Sequence, residues 1–253
     1  MTAADLLAAL DLPTETTVSQ RIPKTLLVEN GAPTAADKRL INEGVERLWW
    51  WAAIKPSNSG VPEFRDEVRQ YLEIAVLELT IRTHAKAARL IELTHRAVPY
   101  PVVLVATEQS GLCSLSMAHK RWSQSEADHV VLEGHVVCAE DVISDESSIT
   151  NGFLHSLAIS RQPRTSLYDL YQGWIDVILA LRAAELTGSF VPARSAQQAT
   201  ARGEALRECA AIAVEMAALR AAAIKTTQVA RRAEINIEIQ RLQARHMAAK
   251  AQL

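Results

Sequence analysis

The stretch at 71–107 constrains the fold most strongly, because its hydrophobic pattern changes from strand to helix and back to strand. The segment YLEIAVLELTI at 71–81 is apolar in both alternating phases, which is typical of a strand covered on both faces or of a bulged strand. Apolar residues then recur at helical spacing over 87–98, and Pro99 ends that helix. The fully apolar run VVLV at 102–105 predicts a second, buried strand. If the two strands are parallel neighbours, we expect a right-handed crossover between them.

The segments around this unit predict a mixed α/β domain over 1–145. Several links between the predicted strands are too short for crossovers, so the sheet should be partly antiparallel. The further elements are a short helix in 1–12, a strand at 21–29, a helix capped by Thr34 with Val45 and Leu48 on its apolar face, a strand starting at Leu112, and one or two strands in 130–142.

The pattern becomes helical from Thr165 onward. An amphipathic helix begins at Thr165 or Ser166 and should end at Gly188; with the linker before it, this helix makes up 146–192. Residues 193–253 are rich in Ala, Glu, Gln, Arg and Leu, and this composition predicts one long helix or a helical hairpin.

A coiled-coil seam marks the end of this helical region. Ile235, Ile239, Leu242 and His246 fall on alternating steps of four and three residues, and the phase of the pattern breaks near 225–232. Such a seam must be covered by the chain's own earlier helix, by a second copy or by another protein. The predicted fold class is α+β, with a mixed α/β sheet domain followed by a long α-helical, coiled-coil-like C-terminal region.

The composition is that of an ordinary globular protein. The chain has 253 residues, 49% of them hydrophobic, and a net charge of −2, so no global basic charge attracts nucleic acid or an acidic membrane. Its three cysteines are widely spaced and odd in number, which argues against a disulfide framework. The start MTAADLLAAL lacks the basic region of a secretory signal, and no apolar window reaches the length of about 18 residues that a membrane span needs. We therefore expect a cytoplasmic protein without membrane contact.

The motifs of common enzymes are missing from the sequence. It contains no HExxH, GxGxxG, GxxxxGK[ST] or GxSxG pattern, and His129 and His135 have no cysteine nearby at zinc spacing, so we predict neither a cofactor nor a metal site. Glu73 and Glu78 on the central strand are the candidate catalytic residues, since metal-dependent nucleases place carboxylates and a lysine on neighbouring strand positions. The expected lysine does not follow Glu78, and the competing interpretation is a pair of salt-bridged surface residues.

The tryptophan triplet and the basic residues of the helices each allow a functional and a structural interpretation. The tryptophan triplet at 49–51 is either core and interface or a stacking platform for a base. The basic residues of the helices form either a solvated face or a phosphate-contacting surface. The candidates for nucleic-acid contacts are Lys38, Arg39, Arg231, Arg232 and Arg241.

Several segments together carry a family resemblance. They are RIPKTLL (21–27), VERLWWWAAIKP (45–56), EIAVLEL (73–79), AVPYPVVLVA (97–106), SLYDLYQGWIDVI (166–178) and INIEIQRLQ (235–243). With these segments the chain resembles the bacterial domain of unknown function 4391 family. The resemblance implies a component encoded beside helicases and DNA methyltransferases in restriction-like, phage-defence gene clusters. It supplies no catalytic residues, and this sequence departs from the family pattern in its alanine-rich tail and its tryptophan triplet.

The sequence and the resemblance together favour a non-catalytic accessory protein. Its helical tail would dock a helicase- or methyltransferase-like partner, or a second copy in a homodimer, through Ile235, Ile239, Leu242 and His246. The alternatives are a divergent metal-dependent nuclease that uses Glu73 and Glu78, or a DNA-binding module.

Overall fold

The computed structural model describes residues 2–82, 85–124, 129–140 and 147–253. The chain divides into two compact units, unit 1 at Met1–Ile178 and unit 2 at Leu179–Leu253. The division falls inside a long helix, within the segment 146–192 that the sequence predicts as linker and amphipathic helix. No helix in the described ranges is both long enough and apolar enough to cross a membrane.

Helices and strands are interspersed up to residue 139, and the elements that the structure describes after it are helices. The strands are β1 (Thr17–Arg21), β2 (Val45–Ile54), β3 (Phe64–Arg65), β4 (Gln70–Tyr71), β5 (Ile74–Ile81), β6 (Val102–Glu108), β7 (Cys113–Trp122) and β8 (Val130–Ala139). The α-helices are α1 (Ala3–Ala9), α2 (Lys24–Gly31), α3 (Ala35–Gly44), α4 (Pro56–Ser59), α5 (Ala87–Ala97), α6 (Ser148–Leu157), α7 (Leu167–Thr187), α8 (Ala196–Lys225) and α9 (Val229–Lys250).

Unit 1 is built on a six-stranded mixed sheet in the order β1-β2-β5-β6-β7-β8. The central neighbours β5 and β6 run parallel, and the helix α5 connects them, as the sequence predicts. The other four strand pairs are antiparallel. A register shift between Trp50 and Ala52 of β2 lies opposite Leu77 and Val76 of β5, so the irregularity is in the neighbouring strand.

Both faces of the central strands are covered. One face packs against α2, α3 and α5, with Leu27, Ile41, Leu77 and Leu93 fully buried in the shared core. Burial of each such side chain contributes about 1.5–3 kcal/mol. Helix α1 also packs on β6. The buried Tyr171 of α7 donates a hydrogen bond to the backbone oxygen of Val102 in β6 at 2.7 Å.

Two local predictions are wrong. The predicted strand 21–29 is instead the end of β1 followed by α2, because Pro23 at the N-cap fixes the turn between them. The helix capped by Thr34 forms but ends at Gly44, so Val45 and Leu48 belong to β2. Their segment VERLWWWAAI is rich in β-favouring aromatic residues, and this preference outweighs the helical spacing. Of the predicted strand 130–142, the last two positions lie outside the described residues.

Unit 2 contains an antiparallel hairpin of α8 and α9 joined by a three-residue turn, rather than one long helix. The turn at 226–228 coincides with the phase break that the sequence shows near 225–232. Ile235, Ile239 and Leu242 are buried. The chain's own preceding helix therefore covers the seam, which is one of the three coverings that the sequence leaves open.

Candidate functional site

The two candidate catalytic carboxylates lie apart, and each is paired with a cation, Arg47 of β2 or Lys55 directly after β2. Glu78 accepts a hydrogen bond from Arg47 at 2.8 Å, and Glu73 lies 3.0 Å from the ammonium of Lys55. Five residues of extended chain separate the two Cα atoms by about 16 Å, which is too far for both carboxylates to ligate one magnesium ion. The structure thus does not bring Glu73 and Glu78 together, and it provides each with the partner of a salt-bridged surface residue.

No cluster of three or more metal-ligating side chains occurs in the part of the chain that the structure describes. His129 and His135 both line a cleft of about 830 Å³ that is formed by residues of α2, α5 and β8. Arg96 and Glu92 line the same cleft and are joined by an ion pair of 2.7 Å.

The predicted nucleic-acid contacts are divided between the two units. Lys38 and Arg39 are exposed on α3, and Arg231, Arg232 and Arg241 are exposed on α9. The guanidinium groups of three of them lie next to a glutamate of the same helix, at 2.8 Å for Arg39, 2.7 Å for Arg231 and 3.3 Å for Arg241. Such exposed pairs contribute little to stability but reduce the local positive charge.

A polar network assembles around His119 at the junction of β4, β7 and α7. The Tyr71 hydroxyl lies 2.5 Å from Nδ1 of His119, and Nε2 of His119 lies 2.8 Å from Oε1 of Gln172. The amide of Gln172 donates to Asp176 at 2.8 Å, so its oxygen must accept from His119. His119 is therefore the Nε2–H tautomer, and Tyr71 donates to its Nδ1.

Aromatic rings and one ion pair enclose this network. Tyr168 stacks on His119 with ring centroids 5.0 Å apart, and the guanidinium of Arg69 lies 5.6 Å from the ring centroid of Tyr168. Arg69 also binds both carboxylate oxygens of Glu133, at 2.6 and 2.5 Å. Burial lowers the pKa of His119 and raises that of Tyr71. Since both ring nitrogens of His119 are engaged, the network positions β7 against α7 and leaves the imidazole no free nitrogen for acid–base chemistry.

The hairpin has an outer half of different character, which we call the distal hairpin (213–234). None of these residues, all of which the structure describes, is buried. Ile224 and Val229 flank the turn and are 82% and 84% exposed. Val214 in the same half is 73% exposed. Exposed apolar side chains that group into a patch can mark a protein interaction site, whereas scattered single ones are ordinary.

A comparison with protein families decides the identity of the chain. The family described as Domain of unknown function (DUF4391) matches residues 10–245. The chain belongs to this family. Comparisons of the DUF4391 chain with curated proteins and with solved structures found no match.

The segments that carry the family resemblance occupy defined places in this DUF4391 fold. SLYDLYQGWIDVI supplies Tyr168, Tyr171 and Gln172 to the surroundings of His119, and EIAVLEL forms the central strand β5. The segment around RIPKTLL joins β1 to α2. Sequence reasoning missed the His119 network, although two tyrosines and a glutamine in one short helical segment were a signal for it.

Proposed function

We propose that this DUF4391 protein is a non-catalytic accessory protein that docks a helicase- or methyltransferase-like partner through its distal hairpin. The observation that carries the proposal is the exposure of Ile224 and Val229 in a hairpin half without any buried residue. The class of partner comes from the gene neighbourhood that the family resemblance implies.

The energetics favour the distal hairpin over the coiled-coil seam as the docking surface. Ile235, Ile239 and Leu242 are already buried against the chain itself, so a partner that used them would first have to open the hairpin. Transfer of Ile224 and Val229 into a partner's groove would instead contribute about 1.5–3 kcal/mol each, before the cost of association, without opening the hairpin.

The geometry around Glu73 and Glu78 supports the non-catalytic part of the proposal. Their wide separation and their pairing with Lys55 and Arg47 suit a structural role better than the ligation of magnesium. The metal-dependent nuclease remains the alternative, and loss of a magnesium-dependent DNA cleavage in Glu78→Ala would establish it.

The test is co-purification with the helicase- and methyltransferase-like proteins encoded beside this chain. The double variant Ile224→Glu and Val229→Glu should lose the partner that the wild type retains. Ile237→Glu with Met247→Glu is the matched control, because these side chains are 52% and 73% exposed on α9 but lie outside the distal hairpin. Retention of the partner by the double variant, or equal loss in the control, would refute the proposal. The solution mass of each variant shows whether a second copy is the occupant instead.

A further inference from the structure

Cations from separate segments converge where β1 passes into α2. Arg21 ends β1, Lys24 begins α2, and Arg47 lies on the adjoining strand β2. All three line a cleft of about 330 Å³ together with Ile22, Pro23, Glu46 and Leu48, and we call it the basic cleft. The family-resembling segment RIPKTLL thus supplies two of its cations, with the proline between them.

The charges of the basic cleft are only partly balanced. Arg47 is held by Glu78 at 2.8 Å, and the carboxylate of Glu46 accepts from the side chain of Gln109 at 3.1 Å. Arg21 and Lys24, by contrast, form no ion pair with any of the residues that the structure describes.

A fourth cation, Arg82, adds to this positive field. It follows β5 and donates a hydrogen bond to the backbone oxygen of Glu43 at 3.3 Å, and within the described ranges it forms no ion pair. Partial burial lowers the pKa of Lys24, and the nearby positive charges of Arg82 and Arg21 lower it further, whereas Glu46 opposes the shift. Like charges held this close favour the binding of an anion between them.

The backbone at the start of α2 adds a weaker positive potential to the basic cleft. Pro23 is the N-cap of α2 and provides no side-chain acceptor to the first turn of the helix. The positive end of the helix dipole therefore points toward the cations rather than toward a capping carboxylate.

We propose that the basic cleft and the adjoining Arg82 bind phosphate groups of a nucleic-acid backbone, through Arg21 and Lys24 in the cleft and Arg82 beside it. A single free phosphate is the other source of the same chemistry. Arg21 and Arg82 are exposed, so salt screens each of their contacts with a phosphate. Measurable affinity therefore requires several phosphates in one ligand, which favours nucleic acid over a single free phosphate. This inference concerns unit 1 and does not rest on the function proposed for the hairpin.

The test is fluorescence anisotropy of a labelled double-stranded oligonucleotide with the full chain at 50 and 150 mM salt. Three phosphate contacts predict a slope of log K against log salt of about −2.7, so the threefold increase in salt should weaken binding about twentyfold. The double variant Arg21→Glu and Lys24→Glu should weaken binding at low salt at least tenfold and flatten the slope.

The matched control is Arg65→Glu with Arg161→Glu, which changes the net charge of unit 1 by the same amount at exposed positions that do not line the basic cleft. It should weaken binding less than twofold. Equal loss in both double variants would show an unspecific response to net charge and overturn the proposal, as would absence of binding at 50 mM salt. Calorimetric titration with inorganic phosphate completes the test, since binding of phosphate without binding of the oligonucleotide would overturn the assignment to nucleic acid. Tryptophan emission verifies that each variant is folded.

Discussion

Replacement of Lys120 by methionine should remove a large pH dependence from the stability of unit 1. Lys120 lies on β7 with only 2% of its surface exposed. Its Nζ donates hydrogen bonds to the backbone oxygens of His95 and Val98, the latter at 2.9 Å, at the end of α5. Helix ends need such partners for their last carbonyl groups, and a neutral amine with two N–H bonds satisfies both.

The sign of the effect follows from the direction of the pKa shift. Burial lowers the pKa of Lys120 to about 7, whereas a lysine of the unfolded chain titrates near 10.4. Between these values the unfolded chain binds more protons, so the free energy of unfolding rises with pH. The limiting slope is about 1.4 kcal/mol per pH unit, and between pH 7.5 and 9.5 we expect a gain of about 2 kcal/mol from this one group.

The assay is urea unfolding at several pH values with tryptophan emission as the probe. All five tryptophans lie in unit 1, so the signal reports that unit alone. Lys120→Met should flatten the pH dependence and lower the stability at pH 9.5 by about 1–3 kcal/mol, because two carbonyl groups lose their partner. Lys55→Met is the control, since Lys55 is half exposed and its removal leaves the buried amine in place. If wild type and Lys120→Met respond to pH in parallel, Lys120 does not fold in the neutral form and the reasoning fails.

Three further substitutions test the packing and the electrostatics. Gly173→Ala should destabilise unit 1 by about 1–3 kcal/mol in urea unfolding, because its Cβ would lie 2.6 Å from Cδ of Pro163. Leu242→Ala should cost unit 2 about 2–5 kcal/mol, seen as loss of helical circular dichroism before tryptophan emission changes. Hydrogen bonds from Arg89 lower the pKa of Asp37 to about 2, so stability should fall as pH drops from 4 toward 2, and Asp37→Asn should remove this decrease in acid titration.

The central elements were predictable because their signals are local and long. The strand–helix–strand pattern at 71–107 gives β5, α5 and β6, and the heptad spacing of Ile235, Ile239 and Leu242 gives the packed seam of the hairpin. The segment RIPKTLLVE is wrongly predicted as a strand because its apolar residues fit the spacing of a strand as well as that of a helix. Pro23 selects the helix only through the turn that it forms.

The sites were less predictable because they join distant positions. The His119 network combines Tyr71 with Gln172, which lie about a hundred residues apart in sequence, and only the packing of α7 brings them together. The ion pair between Glu73 and Lys55 was unpredictable for the same reason, because only the fold brings the two residues together. Lys55 reaches Glu73 at 3.0 Å because the antiparallel register of β2 and β5 pairs Ile54 with Ile74, and the sequence contains no local sign of that register.

Several buried polar side chains of unit 1 hold its elements together, and we therefore assign the proposed recognition to surfaces. His119, Lys120 and Tyr171 are the kinds of side chain that catalyse reactions, yet each is buried or half-buried and uses its polar atoms to join one element to another. Among the described residues, Arg21 and Lys24 of the basic cleft form no ion pair, and Ile224 and Val229 of the distal hairpin are exposed. Because these two surfaces belong to separate compact units, a defect in oligonucleotide binding and a defect in partner docking should arise from different variants. The two proposals therefore predict that each contact can form without the other.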